Sequence, residues 1–171
     1  GGIEDGQYKA EKKHFWDDVY GVNMACLTPT VMKEPLIDVV TGNMMVTDSS
    51  KILELDLCTM KPSEVEFSSK YKLIAQHDEK MHAMVAWWDC GFTDLKKPVM
   101  LSTNPNEKAT HWKQTVFYLE YDLKLAKGDV VEGSIANRKS HKNFRELDIK
   151  ISYHADNDSM KKDFTNMYKL R

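Results

Sequence analysis

None of the eight glycines of this 171-residue chain forms a Gly-x-Gly, and no P-loop is present. A nucleotide-type cofactor site of the strand–glycine-turn–helix kind is therefore missing from the sequence. Cysteine is scarce: Cys26, Cys58 and Cys90, an odd count without a CxxC pair, argue against a disulfide framework and against a structural zinc site. The even spacing of the three reflects no repeat, because the flanks MACLTP, DLCTMK and WDCGFT have nothing in common. Three free thiols suit a reducing compartment, so cytoplasmic and nuclear localisation is expected. No stretch approaches the roughly 18–20 apolar residues of a membrane-spanning helix. Charge of one sign is lacking too. With 24 basic and 26 acidic residues the net charge is −2, which sets up no field for nucleic acid or an anionic membrane. No secretory leader is recognisable, and Gly1-Gly2 reads as a cloning remnant.

What is present suits a globular domain with a sizeable core: 42% apolar and 29% charged residues. Tyr8, Phe15, Trp16, Val19, Tyr20 and Met24 recur mostly at three- and four-residue steps among charged residues. That spacing indicates one amphipathic helix or a pair of short ones, broken near Gly21 and bounded by Pro29 and Pro35. Beyond Pro35 the period becomes two. Leu53, Leu55 and Leu57 alternate with Glu54 and Asp56, which predicts a half-buried strand. Met81, Ala83, Val85 and Trp87 alternate with residues that are themselves mostly apolar, so this strand should be central. Val131-Gly133-Ile135 and Ile149-Ile151-Tyr153 give two more. Turn signals fall at Thr41-Gly42-Asn43, Lys61-Pro62-Ser63, Asn104-Pro105-Asn106, Lys127-Gly128-Asp129 and Asp156-Asn157-Asp158. About eight to ten short strands without a long helix between them make the chain mainly β, an antiparallel barrel or sandwich.

Residues 109–121, ATHWKQTVFYLEY, are the most informative stretch. Thr110-His111-Trp112 sets an imidazole beside an indole in a loop, followed by strand-like alternation. By itself the pair reads as a polar residue next to a packed aromatic. No Ser-His-Asp or Cys-His spacing makes His111 part of a nucleophilic triad. His82 and His154 fall on strands, His77 in a turn and His141 in a basic, solvated loop, and none of them signals a site.

The stretch closely resembles the Thr-His-Trp loop and following strand of the type I protein arginine N-methyltransferases. FWDDVYGVNM at residues 15–24 resembles the start of that family's dimerisation arm. The likeness extends through Ile3-Glu4-Asp5, EPLIDVV from Glu34, HAMVAWW from His82, Arg145-Glu146-Leu147-Asp148 and the closing Tyr168-Lys169-Leu170-Arg171. It implies an antiparallel β-barrel with an N-terminal helical dimerisation arm. Residues 1–5 would be the remnant and the end of a linker or first barrel strand, 6–34 the arm, and 35–171 the substrate-side barrel. The family's reaction is S-adenosylmethionine-dependent methylation of arginine in Arg/Gly-rich proteins. Its cofactor site and paired glutamates belong to a Rossmann-like domain that this chain does not contain, so the chain alone is expected to be inactive.

The resemblance also assigns roles. A guanidinium has a pKa above about 12 and delocalised charge, so it is a poor nucleophile. Two carboxylates hold it bidentately and aim the attacking nitrogen, and an indole gives the slot a flat wall. By resemblance, Trp112 and Thr110 line the substrate slot. His111 is the catalytic residue, pairing with an acidic group of the other domain and helping to accept the departing proton. Phe15, Trp16, Tyr20 and Met24 would form the arm's contact face in a homodimer, while Asp17 and Asp18 are solvated. Many relatives carry an aromatic before Thr110; this chain has Ala109, so no substrate contact is carried over there. No cofactor or metal is expected on this chain itself, and no nucleic acid or membrane as a direct partner. The rival reading is a non-enzymatic β-barrel interaction module with a helical arm.

Overall fold

The computed structural model describes residues 1–157 and 160–171. The chain starts with a two-residue strand, β1 (Gly2–Ile3), and then forms the arm: α1 (Gly6–His14), a 3-10 turn at Phe15–Asp17, another at Ala25–Leu27, and the one-turn α2 (Thr28–Val31). After β2 (Leu36–Asp38) come β3 (Phe67–Ile74), β4 (Glu79–Ala86), β5 (Asp89–Phe92) and β6 (Val99–Ser102). The long strands follow: β7 (Gln114–Leu125), β8 (Val130–Lys139), β9 (Leu147–Asn157) and β10 (Met160–Leu170).

Two four-stranded sheets form, in the orders β1-β4-β7-β2 and β10-β9-β8-β3, while β5 and β6 make a separate hairpin. Every described strand pairing is antiparallel. Isolated bridges Ile3↔Met45 and Thr47↔Ala75 stitch the two sheets together along one side. On the other side the Tyr168 hydroxyl of β10 donates to the Tyr118 carbonyl of β7 (2.8 Å). The fold is mainly β, a sheet curled into a half-barrel, with its two short helices near the N-terminus.

The period-two pattern explains the core. Along β7, Phe117, Leu119, Leu123 and Leu125 enter the main cluster with Tyr71, Leu73, Val131, Ile151 and Tyr153. Val116 and Tyr118 point the other way, into a second cluster with Ile3, Val40, Ala83 and Val85. β4 is buried on both faces as well, which is why its run is apolar throughout. Its register with β7 shifts between Met81 and Ala83, so that Met81 and Met84 face one core and Ala83 and Val85 the other. Gly133 permits a close approach of strands: a Cβ there would collide with the Ser152 carbonyl and the Tyr71 ring.

The predicted strand at Leu53-Leu55-Leu57 does not form. Residues 49–61 contain no strand, and Leu57 is exposed. Side-chain bonds, one reaching the end of β3 and two local, hold this stretch and its approach instead. The Asp48 carboxylate accepts the Ile74 N–H (2.7 Å), and Asp56 accepts the Cys58 N–H (2.9 Å) and the Thr59 hydroxyl (2.8 Å). The arm is also less helical than its periodicity suggests. α1 ends at His14 with Lys12, Lys13 and His14 in its last turn, complementing the helix dipole. A tight turn then bridges Val19 and Val22, with Tyr20 (φ 54°) and Gly21 (φ 83°) both left-handed. Of the expected turns, Gly42–Met44 and Pro62–Val65 are 3-10 turns, and Gly128 (φ 93°) turns the chain into β8. Asp156 and Asn157 continue β9, and Asp158 lies outside the described residues.

Candidate functional site

The loop from β6 into β7 is fastened from below. Thr103, fully buried, exchanges hydrogen bonds with the Trp88 backbone: its N–H and its hydroxyl donate to the Trp88 carbonyl (3.1 and 2.8 Å), and the Trp88 N–H donates to the hydroxyl oxygen (3.0 Å). Gln114, the first residue of β7, is buried as well. Its amide donates to the Thr103 carbonyl (2.8 Å) and accepts the Val40 N–H (2.7 Å). One side chain thus ties together the loop, the hairpin and the segment after β2.

Above this base, Thr110 to Lys113 form a turn closed by Lys113 N–H to Thr110 carbonyl (3.2 Å). Lys113 lies at φ 55°, in the left-handed region that a residue with a Cβ adopts at a cost. Its ammonium donates to Asp38 of β2 (3.0 Å). That bond, seconded by the Val39 N–H, holds the Asp38 carboxyl below its usual pKa. Trp112 stands out of the turn, 55% exposed, and meets the edge of Trp88 at 5.6 Å and 73°. His111, also exposed, is edge-on to Trp112 at 6.4 Å. The Thr110 hydroxyl is buried without a partner. Thr110, His111 and Trp112 therefore share one anchored turn, with the imidazole and indole presented to solvent.

The arm is rooted farther along β7, on the face where Tyr118 and Val116 enter the second cluster. Tyr118 donates its hydroxyl to Asp5, stacks on Tyr8 (6.1 Å) and lies under the Lys12 ammonium (5.4 Å). Burial, then the Asp5 bond, pushes the Tyr118 phenol far up. Lys9 is buried and paired with Asp122; burial lowers its pKa and the Asp122 contact only partly offsets this. His82, at the register shift of β4, accepts the Asp5 N–H (3.3 Å) on Nδ1 and sits 3.6 Å from Glu4 and 3.8 Å from Asp122. Farther out, Phe15 and Tyr20 are exposed, whereas Trp16 and Met24 are half-buried. Phe15 and Trp16 meet edge to face at 5.3 Å, and the Met24 N–H donates to the Trp16 carbonyl (2.8 Å). Asp17 pairs with His14 (2.8 Å), and Asp18 accepts the Gly21 N–H (2.7 Å) at the turn. The loop and the arm tip do not meet; they are joined through β7.

Sequence reasoning passed over Trp88, Thr103, Gln114 and the Lys113–Asp38 pair. The stretches singled out did contain most of them, Trp88 in HAMVAWW, Asp38 in EPLIDVV, and Lys113 and Gln114 in ATHWKQTVFYLEY, but nothing there assigned them a role. Among the described residues no His, Cys, Asp and Glu cluster is arranged to hold a metal ion. The sequence has no glycine-rich turn between a strand and a helix, and every described strand pairing is antiparallel.

Residues 1–158 match the family described as the arginine methyltransferase oligomerization subdomain. The chain belongs to that family. It is 42% identical over 169 residues to a probable protein arginine N-methyltransferase 1.2 of Arabidopsis thaliana, covering 99% of this chain and 46% of the relative. Protein arginine N-methyltransferase 1 of Schizosaccharomyces pombe is 45% identical over 151 residues, covering 88% of this chain and 44% of the relative. Among solved structures, a chain of the Trypanosoma brucei PRMT1 enzyme–prozyme heterotetrameric complex with AdoHcy superposes with a TM-score of 0.93. It is 30% identical, over 99% of this chain and 54% of that one. The chain thus spans about half the length of the relatives it matches.

The Gln114 amide gives the arginine methyltransferase barrel a direct test. Gln114→Leu fills the space but leaves the Val40 N–H and the Thr103 carbonyl without partners. Each such group costs about 1–3 kcal/mol. Chemical denaturation should show a loss of that order or more, and a loss below about 0.5 kcal/mol would mean that the amide does not anchor the loop.

Proposed function

We propose that this chain is the barrel-and-arm half of an S-adenosylmethionine-dependent protein arginine N-methyltransferase of type I, acting on arginine in Arg/Gly-rich proteins. The observation that carries the reading is the Thr110–Lys113 turn, which presents His111 and Trp112 outward from a buried polar base. Trp112 walls the arginine slot and His111 holds or receives a proton at its rim, while the cofactor and the carboxylate pair come from a methyltransferase domain outside this chain. The 171 residues alone are inactive on this reading. Membership of the oligomerization subdomain family supports a role in assembly. Phe15, Trp16, Tyr20 and Met24 are the anchors by which the arm joins a second copy. The tip suits this role: Tyr20 is fully exposed on a left-handed turn that holds its ring away from its own chain.

In a full-length enzyme carrying this segment, His111→Ala should lower turnover on an Arg/Gly-rich peptide by about 10²-fold, the usual size of an acid–base contribution. Peptide affinity should change far less. The comparison is kcat from radiolabelled methyl transfer against peptide Kd from calorimetry. Unchanged turnover, or equal losses in both, would remove His111 from the chemistry.

A further inference from the structure

Lys113 follows the Thr-His-Trp residues directly, and the chain has lysine where the backbone favours glycine. A side-chain-bearing residue stays at φ 55° only when its surroundings hold it there. Two contacts do so. The Lys113 N–H closes the turn on the Thr110 carbonyl (3.2 Å), and the ammonium reaches Asp38 Oδ1 (3.0 Å). Asp38 is itself oriented, since the same carboxylate oxygen accepts the Val39 N–H (2.8 Å). It is also the last residue of β2, paired in register with Gln114. The ion pair therefore spans the end of the β2–β7 ladder, where the loop leaves the sheet.

Both partners are exposed, 41% and 49%, so solvent screens the pair and it adds little to the stability of the barrel. Its effect is directional. Rotation of Lys113 out of the left-handed region would swing Trp112 off the Trp88 edge and carry His111 with it, because all three side chains leave the same turn. Gln114 fixes the height of the loop and Lys113 its heading.

We propose that Lys113 is a positioning residue: clamped to Asp38 in a left-handed conformation, it sets the direction in which His111 and Trp112 face the substrate. The inference rests on the arginine methyltransferase reading for its catalytic consequence, but the clamp itself is a property of this chain.

The test uses a full-length enzyme carrying this segment, labelled with 5-fluorotryptophan, with the Trp112 fluorine resonance assigned by Trp112→Phe. Lys113→Met and Asp38→Asn should each shift, split or broaden the Trp112 resonance while leaving the thermal midpoint essentially in place. Lys113→Arg, which keeps the cation, should restore it in large part. In the same samples kcat should fall roughly 10- to 100-fold for the two uncharged variants, as for a modest misplacement of catalytic groups, with KM changed less. A Trp112 resonance unmoved by both substitutions overturns the clamp, whatever the activity. So does a loss of kcat that Lys113→Arg shares in full or that tracks a lowered thermal midpoint. If the resonance moves as expected but the parent enzyme transfers no methyl group to an Arg/Gly-rich peptide, the clamp stands and the methyltransferase reading falls.

Discussion

From Gln114 to Leu119 strand β7 is covered on both faces, and the rest of the molecule is arranged around that constraint. Phe117 and Leu119 fill the barrel core, while Val116 and Tyr118 fill the second core beneath the arm. Register is strongly specified wherever a strand buries a face. A one-residue slip of β7 would exchange its two apolar sets between cores of different shape. The neighbouring strand accommodates the same demand with its irregularity between Met81 and Ala83.

The Thr-His-Trp turn and the arm are both tied to this strand. At its beginning, Gln114 sends one buried amide to the hairpin and to the segment after β2, and the Thr-His-Trp turn stands on that junction. Four residues on, the Tyr118 ring is the floor on which α1 rests, through Asp5, Tyr8 and Lys12. The arm and the Thr-His-Trp loop are thereby held by one element. Burying Lys9 against the exposed Asp122, with His82 beside them, gives no obvious gain in stability over an apolar contact. These polar contacts are directional, and they set the angle of the arm where a greasy contact would let it slide.

Much of the barrel was legible because strand alternation is a local property. The run from Met81 to Trp87, apolar on both faces, indicated an interior strand, and β4 lies inside its sheet. The same rule failed at Leu53-Leu55-Leu57, where Asp48 and Asp56 satisfy neighbouring backbone donors and no ladder forms; periodicity does not count such competing bonds. The helical spacing from Tyr8 to Met24 was realised only in α1 and the 3-10 turn that follows it; the chain is extended at Asp18 and reverses at the left-handed Tyr20-Gly21 turn. The loop stood out only through its resemblance to a family, since a His beside a Trp says little by itself. Its supports were invisible for a physical reason. Gln114 meets Val40 across 74 residues of sequence, Lys113 meets Asp38 across 75, and nothing in a lysine announces a left-handed backbone.

If β7 is the element on which loop and arm both depend, its central amides should open only when the whole domain unfolds. Native-state hydrogen exchange followed residue by residue tests this most directly. The amides of Val116, Phe117, Tyr118 and Leu119 should belong to the slowest-exchanging set, with free energies equal to that of global unfolding, while those of the β5–β6 hairpin exchange much sooner. Exchange at these four positions as fast as in the hairpin, or well before β8 and β9, would show that the two elements are held independently and would contradict the account.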